Sequence, residues 1–112
     1  MFVSLLLAVG NGALAQEWID TLYYSRSGVT VRNPIFADYY RLVLYPADSA
    51  GLKIFKDFYI SGELRREGHF QTIDTLDDRR TVFDGDVVSY FKNGHISEKS
   101  YYSGGLLEGE YL

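Results

Sequence analysis

Two stretches of this chain repeat one another: Phe58–Phe70 (FYISGELRREGHF) and Tyr90–Tyr102 (YFKNGHISEKSYY), at a spacing of 32 residues. Aromatics recur at Phe58/Tyr90, Tyr59/Phe91 and Phe70/Tyr102, a polar-Gly pair at Ser61-Gly62/Asn93-Gly94, and an aliphatic at Leu64/Ile96. Self-similarity at such a period marks one supersecondary unit used again, which buries its apolar side by stacking on its neighbour. A polar-Gly turn between β-prone runs makes that unit a β-hairpin. The expected fold is all-β, an antiparallel meander of repeated hairpins, with little helix apart from an N-terminal signal segment.

Residues 1–15 read as a signal peptide. Phe2–Val9 is an apolar run, and Ala13-Leu14-Ala15 is the small-x-small pattern at which such segments are cut, so cleavage is expected after Ala15. The run is too short for a membrane-spanning helix, which needs about 20 apolar residues, and no transmembrane segment is expected. No Lys or Arg precedes it, so either a basic start lies upstream of Met1 or the run is not an export signal but a buried N-terminal strand or helix. The net charge of −4 falls wholly on the residues after Ala15 and argues against nucleic acid as a partner. With no Cys, disulfides and thiolate metal sites are excluded. The fold must then be held by its core, for which 10 Tyr, 7 Phe and 1 Trp supply large apolar areas.

Along the chain, residues 16–51 form an N-terminal β region with a degenerate hairpin: Thr21–Tyr24, a turn at Ser25–Gly28, and Val29–Val31. Asn33-Pro34 is a breaker. Tyr39–Tyr45 is a strongly β-prone run with Tyr40, Leu42 and Leu44 on one face. Pro46–Gly51 closes it as a loop. Residues 52–112 are the hairpin repeats.

If Ser61-Gly62 and Asn93-Gly94 are two-residue turns, the register of both hairpins follows. Tyr59 faces Leu64, Asp57 faces Arg66, Lys56 faces Glu67 and Phe55 faces Gly68, where the ring covers a bare strand backbone. In the second copy Phe91 faces Ile96 and Val87 faces Ser100. The two opposite-charge pairs are expected on an exposed face, each worth about 0.2–1 kcal/mol. Alternation then assigns Phe55, Tyr59, Leu64 and Phe70, with Val87, Phe91, Ile96 and Tyr102, to the core side. The other side, with Phe58, Arg65, His69, Tyr90, Lys92 and Tyr101, is the candidate contact surface. Gly62, Gly68, Asn93, Gly94, Gly104 and Gly109 are expected to serve turns and close backbone approach.

Gln71–Asp84 is an insertion relative to a tighter repeat, and Asp77-Asp78-Arg79-Arg80 within it reads as a solvated loop. Gly85-Asp86-Val87-Val88 matches Gly109-Glu110-Tyr111-Leu112, the opening of a third copy. The expectation is a truncated third repeat completed by more of its own chain or by another one, with possible self-association through an edge strand.

The pattern of an aromatic, two residues, Gly, a strand ending in Tyr or Phe, and a Gly-rich step resembles the bacterial variant of the MORN (membrane occupation and recognition nexus) repeat. It is carried by Tyr59–Gly62 through Phe70, and by Phe91–Gly94 through Tyr101–Gly104 to Gly109-Glu110-Tyr111. Ala37–Arg41 followed by Lys56–Leu64 is similar to the N-terminal part of exported envelope proteins, some of which end in a TonB-type domain. The resemblance implies a module in the periplasm or outer envelope of a Gram-negative bacterium, which can be the N-terminal part of a longer TonB-like protein. Related sequences are also labelled antitoxins, a cytoplasmic role that an export signal opposes.

Catalytic constellations are lacking in the sequence. His69 and His95 fall at opposite ends of their hairpins, which opposes a shared metal site. The acidic residues Asp74, Asp77, Asp78, Asp84 and Asp86 lack the alternating spacing of a calcium loop. There is no Gly-x-Ser-x-Gly elbow, no Cys nucleophile and no phosphate-cradling Gly-Lys loop. The expectation is therefore a non-enzymatic exported β-repeat module without a cofactor, whose partner is a protein or the rest of its own chain. A glycan-binding module using exposed aromatics and a cytoplasmic antitoxin-like module are the alternatives.

Overall fold

The computed structural model describes residues 16–46 and 53–111. The expected signal segment and most of the expected loop at 46–51 lie outside these. The described residues form one seven-stranded sheet in the order β1-β2-β3-β4-β5-β6-β7, with every neighbouring pair antiparallel. The strands are β1 (Gln16–Tyr24), β2 (Tyr39–Pro46), β3 (Ile54–Tyr59), β4 (Leu64–Thr72), β5 (Val82–Tyr90), β6 (Ile96–Ser103) and β7 (Leu106–Tyr111). Among the described residues, helical structure is confined to two 3₁₀ turns, Pro34–Phe36 and Asp78–Arg80. The all-β hairpin meander expected from the repeat is the fold observed.

The hairpin turns are one residue longer than expected. The Tyr59 amide donates to the Glu63 carbonyl at 2.9 Å and the Gly62 amide to the Tyr59 carbonyl at 2.8 Å, leaving Ile60, Ser61 and Gly62 in the loop. Phe91, Gly94 and His95 repeat these bonds at 2.8 and 2.9 Å. Gly62 and Gly94 close the loops at φ of 108° and 93°, where a Cβ is disfavoured.

This extra residue corrects the register near the tips: Leu64 faces Phe58 rather than Tyr59, and Ile96 faces Tyr90 rather than Phe91. A one-residue bulge at Arg65, and at Ser97 in the second copy, then restores the expected pairs. Beyond it lie Asp57–Arg66, Lys56–Glu67 and Phe55–Gly68, and Val87–Ser100. A third bulge, at Glu108, sits in the β6–β7 hairpin.

The core is a row of rings laid along one face. Phe55, Phe70, Phe83, Val43, Val87 and Ile73 are buried together, with Leu22, Tyr45 and Tyr102 packed against them. Ring contacts run across the strands, from Tyr45–Phe70 (5.6 Å) to Phe55–Phe83 (5.2 Å) and Phe83–Tyr102 (5.2 Å). Large aromatic side chains can fill this face without a second layer of secondary structure, each burying about 150–250 Å². Gly68 lets β4 and β5 close under Phe55, because a Cβ there would sit 2.6 Å from the Asp86 carbonyl oxygen. Phe91 and Ile96, expected in the core, are instead 56% and 40% exposed, since they flank the tip where the rings end.

Two loops lie over the core face. Val29–Val31, expected as a strand, makes only isolated bridges, Tyr24–Thr30 and Val29–Asp77, and β1 pairs with β2 instead. The loop is held to the one after β4 by Thr30 N to Leu76 O (2.9 Å) and Asp78 N to Gly28 O (2.8 Å). The insertion of the repeat is therefore a cover, and Ile73 is its contribution to the core.

Candidate functional site

On β2, Tyr39, Arg41 and Val43 alternate toward the core face, while Tyr40, Leu42 and Leu44 point the other way. An arginine thus occupies a core position, and its side chain is fully buried. On β3 the same alternation takes Asp57 inward between Phe55 and Tyr59, and its side chain is also fully buried. The Asp57–Arg66 pair expected on an exposed face belongs to the core face instead.

The two buried charges meet as a fork. Arg41 Nε and Nη2 donate to Asp57 Oδ1 and Oδ2 at 2.6 and 2.8 Å, and Arg41 Nη1 donates to Asp78 Oδ1 at 2.8 Å. Arg66 reaches the same two acids, with Nε to Asp57 Oδ2 at 3.2 Å and Nη2 to Asp78 Oδ2 at 2.8 Å. The Tyr39 hydroxyl donates to Asp78 Oδ2 at 2.6 Å, and the Tyr24 hydroxyl to the Asp74 carbonyl at 3.2 Å. Rings complete the solvation: the Arg41 guanidinium lies 4.7 Å from the Phe55 centroid and 5.0 Å from that of Tyr24. Buried charge is tolerated only when paired and hydrogen-bonded, as it is here.

Asp78, read from sequence as part of a solvated loop, is the cover's contribution to this network. Burial acts against its charge, yet Arg41 and Arg66, with the Tyr39 hydrogen bond, hold its carboxyl below the ordinary carboxylate range. Burial and the neighbouring Asp78 push the Tyr39 hydroxyl far up, and burial raises that of Tyr24 to about 12.

The bulge decides where Arg65 goes. Expected on the contact surface with Phe58, it turns to the core face beside Arg66, with its guanidinium 4.0 Å from the Tyr39 ring centroid and 4.0 Å from Asp57 Oδ2. A bulge sets two residues opposite one and re-aims a side chain. In front of the network lies an open cavity of about 390 Å³, bordered by Arg26, Arg65, Arg66 and Arg79 together with Asp78, Phe83 and Tyr102.

The remaining contact candidates are divided. Phe58 stacks on Tyr40 at 5.3 Å, and Tyr40 lies 6.0 Å from Tyr23. His69 pairs with Ile54, the Tyr90 hydroxyl donates to Glu67 Oε2 at 2.6 Å, and Tyr101 is 46% exposed. These four share the outer face, whereas Lys92 lies over the Tyr59 ring at 5.4 Å. Among the turn residues, Asn93 Oδ1 accepts from the His95 amide at 2.9 Å, Gly104 begins the β6–β7 turn, and Gly109 pairs with Tyr101.

Sequence reasoning passed over Arg41, Asp57 and Asp78. The signal for the first two was present, since each interrupts an alternating apolar face at a position that pairing makes inward. Among the described residues no group of three or more His, Asp or Glu side chains could hold a metal ion. No described helix is long and apolar enough to cross a membrane.

The fold and site define a single-sheet antiparallel β-meander with a buried arginine–aspartate network beneath a two-loop cover. Comparison with protein-family models, with curated proteins and with solved structures finds no match.

Proposed function

We propose that this protein is a non-enzymatic β-repeat module of the bacterial cell envelope that binds a protein partner along the β6–β7 edge and the outer face beside it. The observation that carries this reading is where the chain leaves its large apolar side chains in the open. Exposed apolar side chains also occur singly on the loops, as at Ile35, Phe36 and Leu76, but Ile96, Tyr101, Leu106 and Leu107, 40%, 46%, 69% and 51% exposed, gather on the last hairpin, beside a sheet edge. Among the described residues no strand pairs with the far side of β7. Unpaired edge amides and carbonyls accept a partner strand, and flanking apolar side chains add selectivity.

The resemblance of the hairpins to MORN-variant repeats supports the scaffolding role and the envelope location. The buried network favours structure over catalysis, because its carboxylates are already engaged by arginines.

Site-specific photocrosslinking in cells tests the reading, with a benzophenone side chain placed at Tyr101 or Leu106 and, as controls, at Lys56 and Glu63. Discrete adducts in the envelope fraction from Tyr101 and Leu106, absent from the controls, are expected. Adducts that are equal at all four positions, or none at all, would overturn the reading.

A further inference from the structure

We infer that the cavity in front of the buried network is a binding site for a small, doubly charged oxyanion. The inference is independent of the β6–β7 surface and rests on a mismatch between cations and acceptors.

Every oxygen of the acids nearest the cavity is already engaged by an arginine. Asp57 Oδ1 and Oδ2 are held by Arg41 and Arg66, while Asp78 Oδ1 takes Arg41 and its Oδ2 takes Arg66 and Tyr39. Arg41 spends its fork on these same acids. Of the four arginines bordering the cavity, only Arg79 has a full carboxylate partner of its own, Asp77 at 2.7 Å. Arg66 shares two acids with Arg41. Arg65 has nothing ionic nearer than Asp57 at 4.0 Å, and Arg26 makes no ion pair among the described residues.

Arg41 and Asp57 balance each other, and the four arginines bordering the cavity, set against Asp78 and the Asp77 that engages Arg79, then leave a formal excess of two positive charges. This occurs in a chain whose net charge is −4. A dianion matches that excess.

The geometry also suits an oxyanion. The bordering arginines come from three separate segments: the loop after β1, the bulge region of β4, and the loop before β5. Planar guanidinium forks present paired donors matched to carboxylate or phosphate oxygens. The Tyr39 ring under Arg65, 4.0 Å from it, and the ion pairs of Arg66 fix these two side chains before any ligand arrives, which lowers the ordering cost of binding. Phe83 and Tyr102 supply an apolar wall on which the carbon part of a phosphomonoester or dicarboxylate can rest.

The test is titration calorimetry of the full chain with inorganic phosphate and, separately, with succinate, at constant ionic strength maintained with chloride. Saturable binding of one equivalent of at least one anion is expected, and the one that binds identifies the phosphate or the dicarboxylate class. Arg26→Gln and Arg65→Gln should each weaken it about tenfold or more, whereas Arg32→Gln, which does not border the cavity, should leave it unchanged. Far-ultraviolet circular dichroism checks each variant's fold. Arg26 lies in an exposed turn, so Arg26→Gln decides the matter even if Arg65→Gln fails to fold. No saturable heat with either anion, or equal affinity in the wild type and Arg26→Gln, would overturn the inference.

Discussion

Asp57 shows how much one side chain carries in this fold. Its two oxygens receive three hydrogen bonds from Arg41 and Arg66, and no part of it reaches solvent. Removing it leaves the fully buried Arg41 cation half-paired in a low-dielectric setting. Asp57→Ala should therefore cost about 3–5 kcal/mol, measured as a fall in the urea midpoint at neutral pH. A loss below about 1 kcal/mol, the value of a surface pair, would show that the network is solvated. Gly68 fails differently. Gly68→Ala places its Cβ 2.6 Å from a backbone oxygen that cannot rotate away, and the strand pair must open at a cost of about 1–3 kcal/mol.

Among the elements, the hairpin is the unit that the repeat encodes, and its two copies fold alike down to the turn hydrogen bonds and the bulge on the return strand. Their side chains diverge at that bulge. The first copy places Arg65 and Arg66 opposite Asp57, while the second has Ser97 and Glu98 opposite Ser89. One backbone thus serves the charged site in one copy and a plain sheet in the other. At the tips, Gly94→Ala forces a Cβ into a left-handed conformation, φ 93°, with open space around it, so the penalty is purely local. It should cost about 1–2 kcal/mol without changing the β5–β6 register, which amide hydrogen exchange on those strands can follow.

For the whole molecule, the network couples sheet to cover, and that coupling is sensitive to acid. Asp78 titrates below its ordinary range when folded, so its stabilising contribution is complete above the unfolded carboxylate value of about 3.9 and is lost as pH falls through the lower folded value. Urea midpoints recorded from pH 7 to pH 2 should fall steeply below about pH 4, and Asp78→Asn should flatten that fall while lowering the plateau. An unchanged slope in the variant would assign the acid sensitivity elsewhere.

The repeat, the aromatic content and the turn glycines were sufficient by themselves to determine the antiparallel meander, the pairs Phe55–Gly68 and Val87–Ser100, and the core places of Phe55, Phe70 and Val87, because strand alternation and hairpin closure are local rules; Ile73 and Phe83 join that core from the insertion, outside both copies of the repeat. Turn length escaped that reading, since Ser-Gly and Asn-Gly fit both a two-residue and a three-residue loop. Only the closed hairpin decides between them, and the bulge that follows re-aims Arg65. The tertiary structure alone decided that Asp78, far along the chain, folds back over Arg41 and Arg66. That choice depends on long-range charge pairing in a desolvated space, for which no local pattern exists.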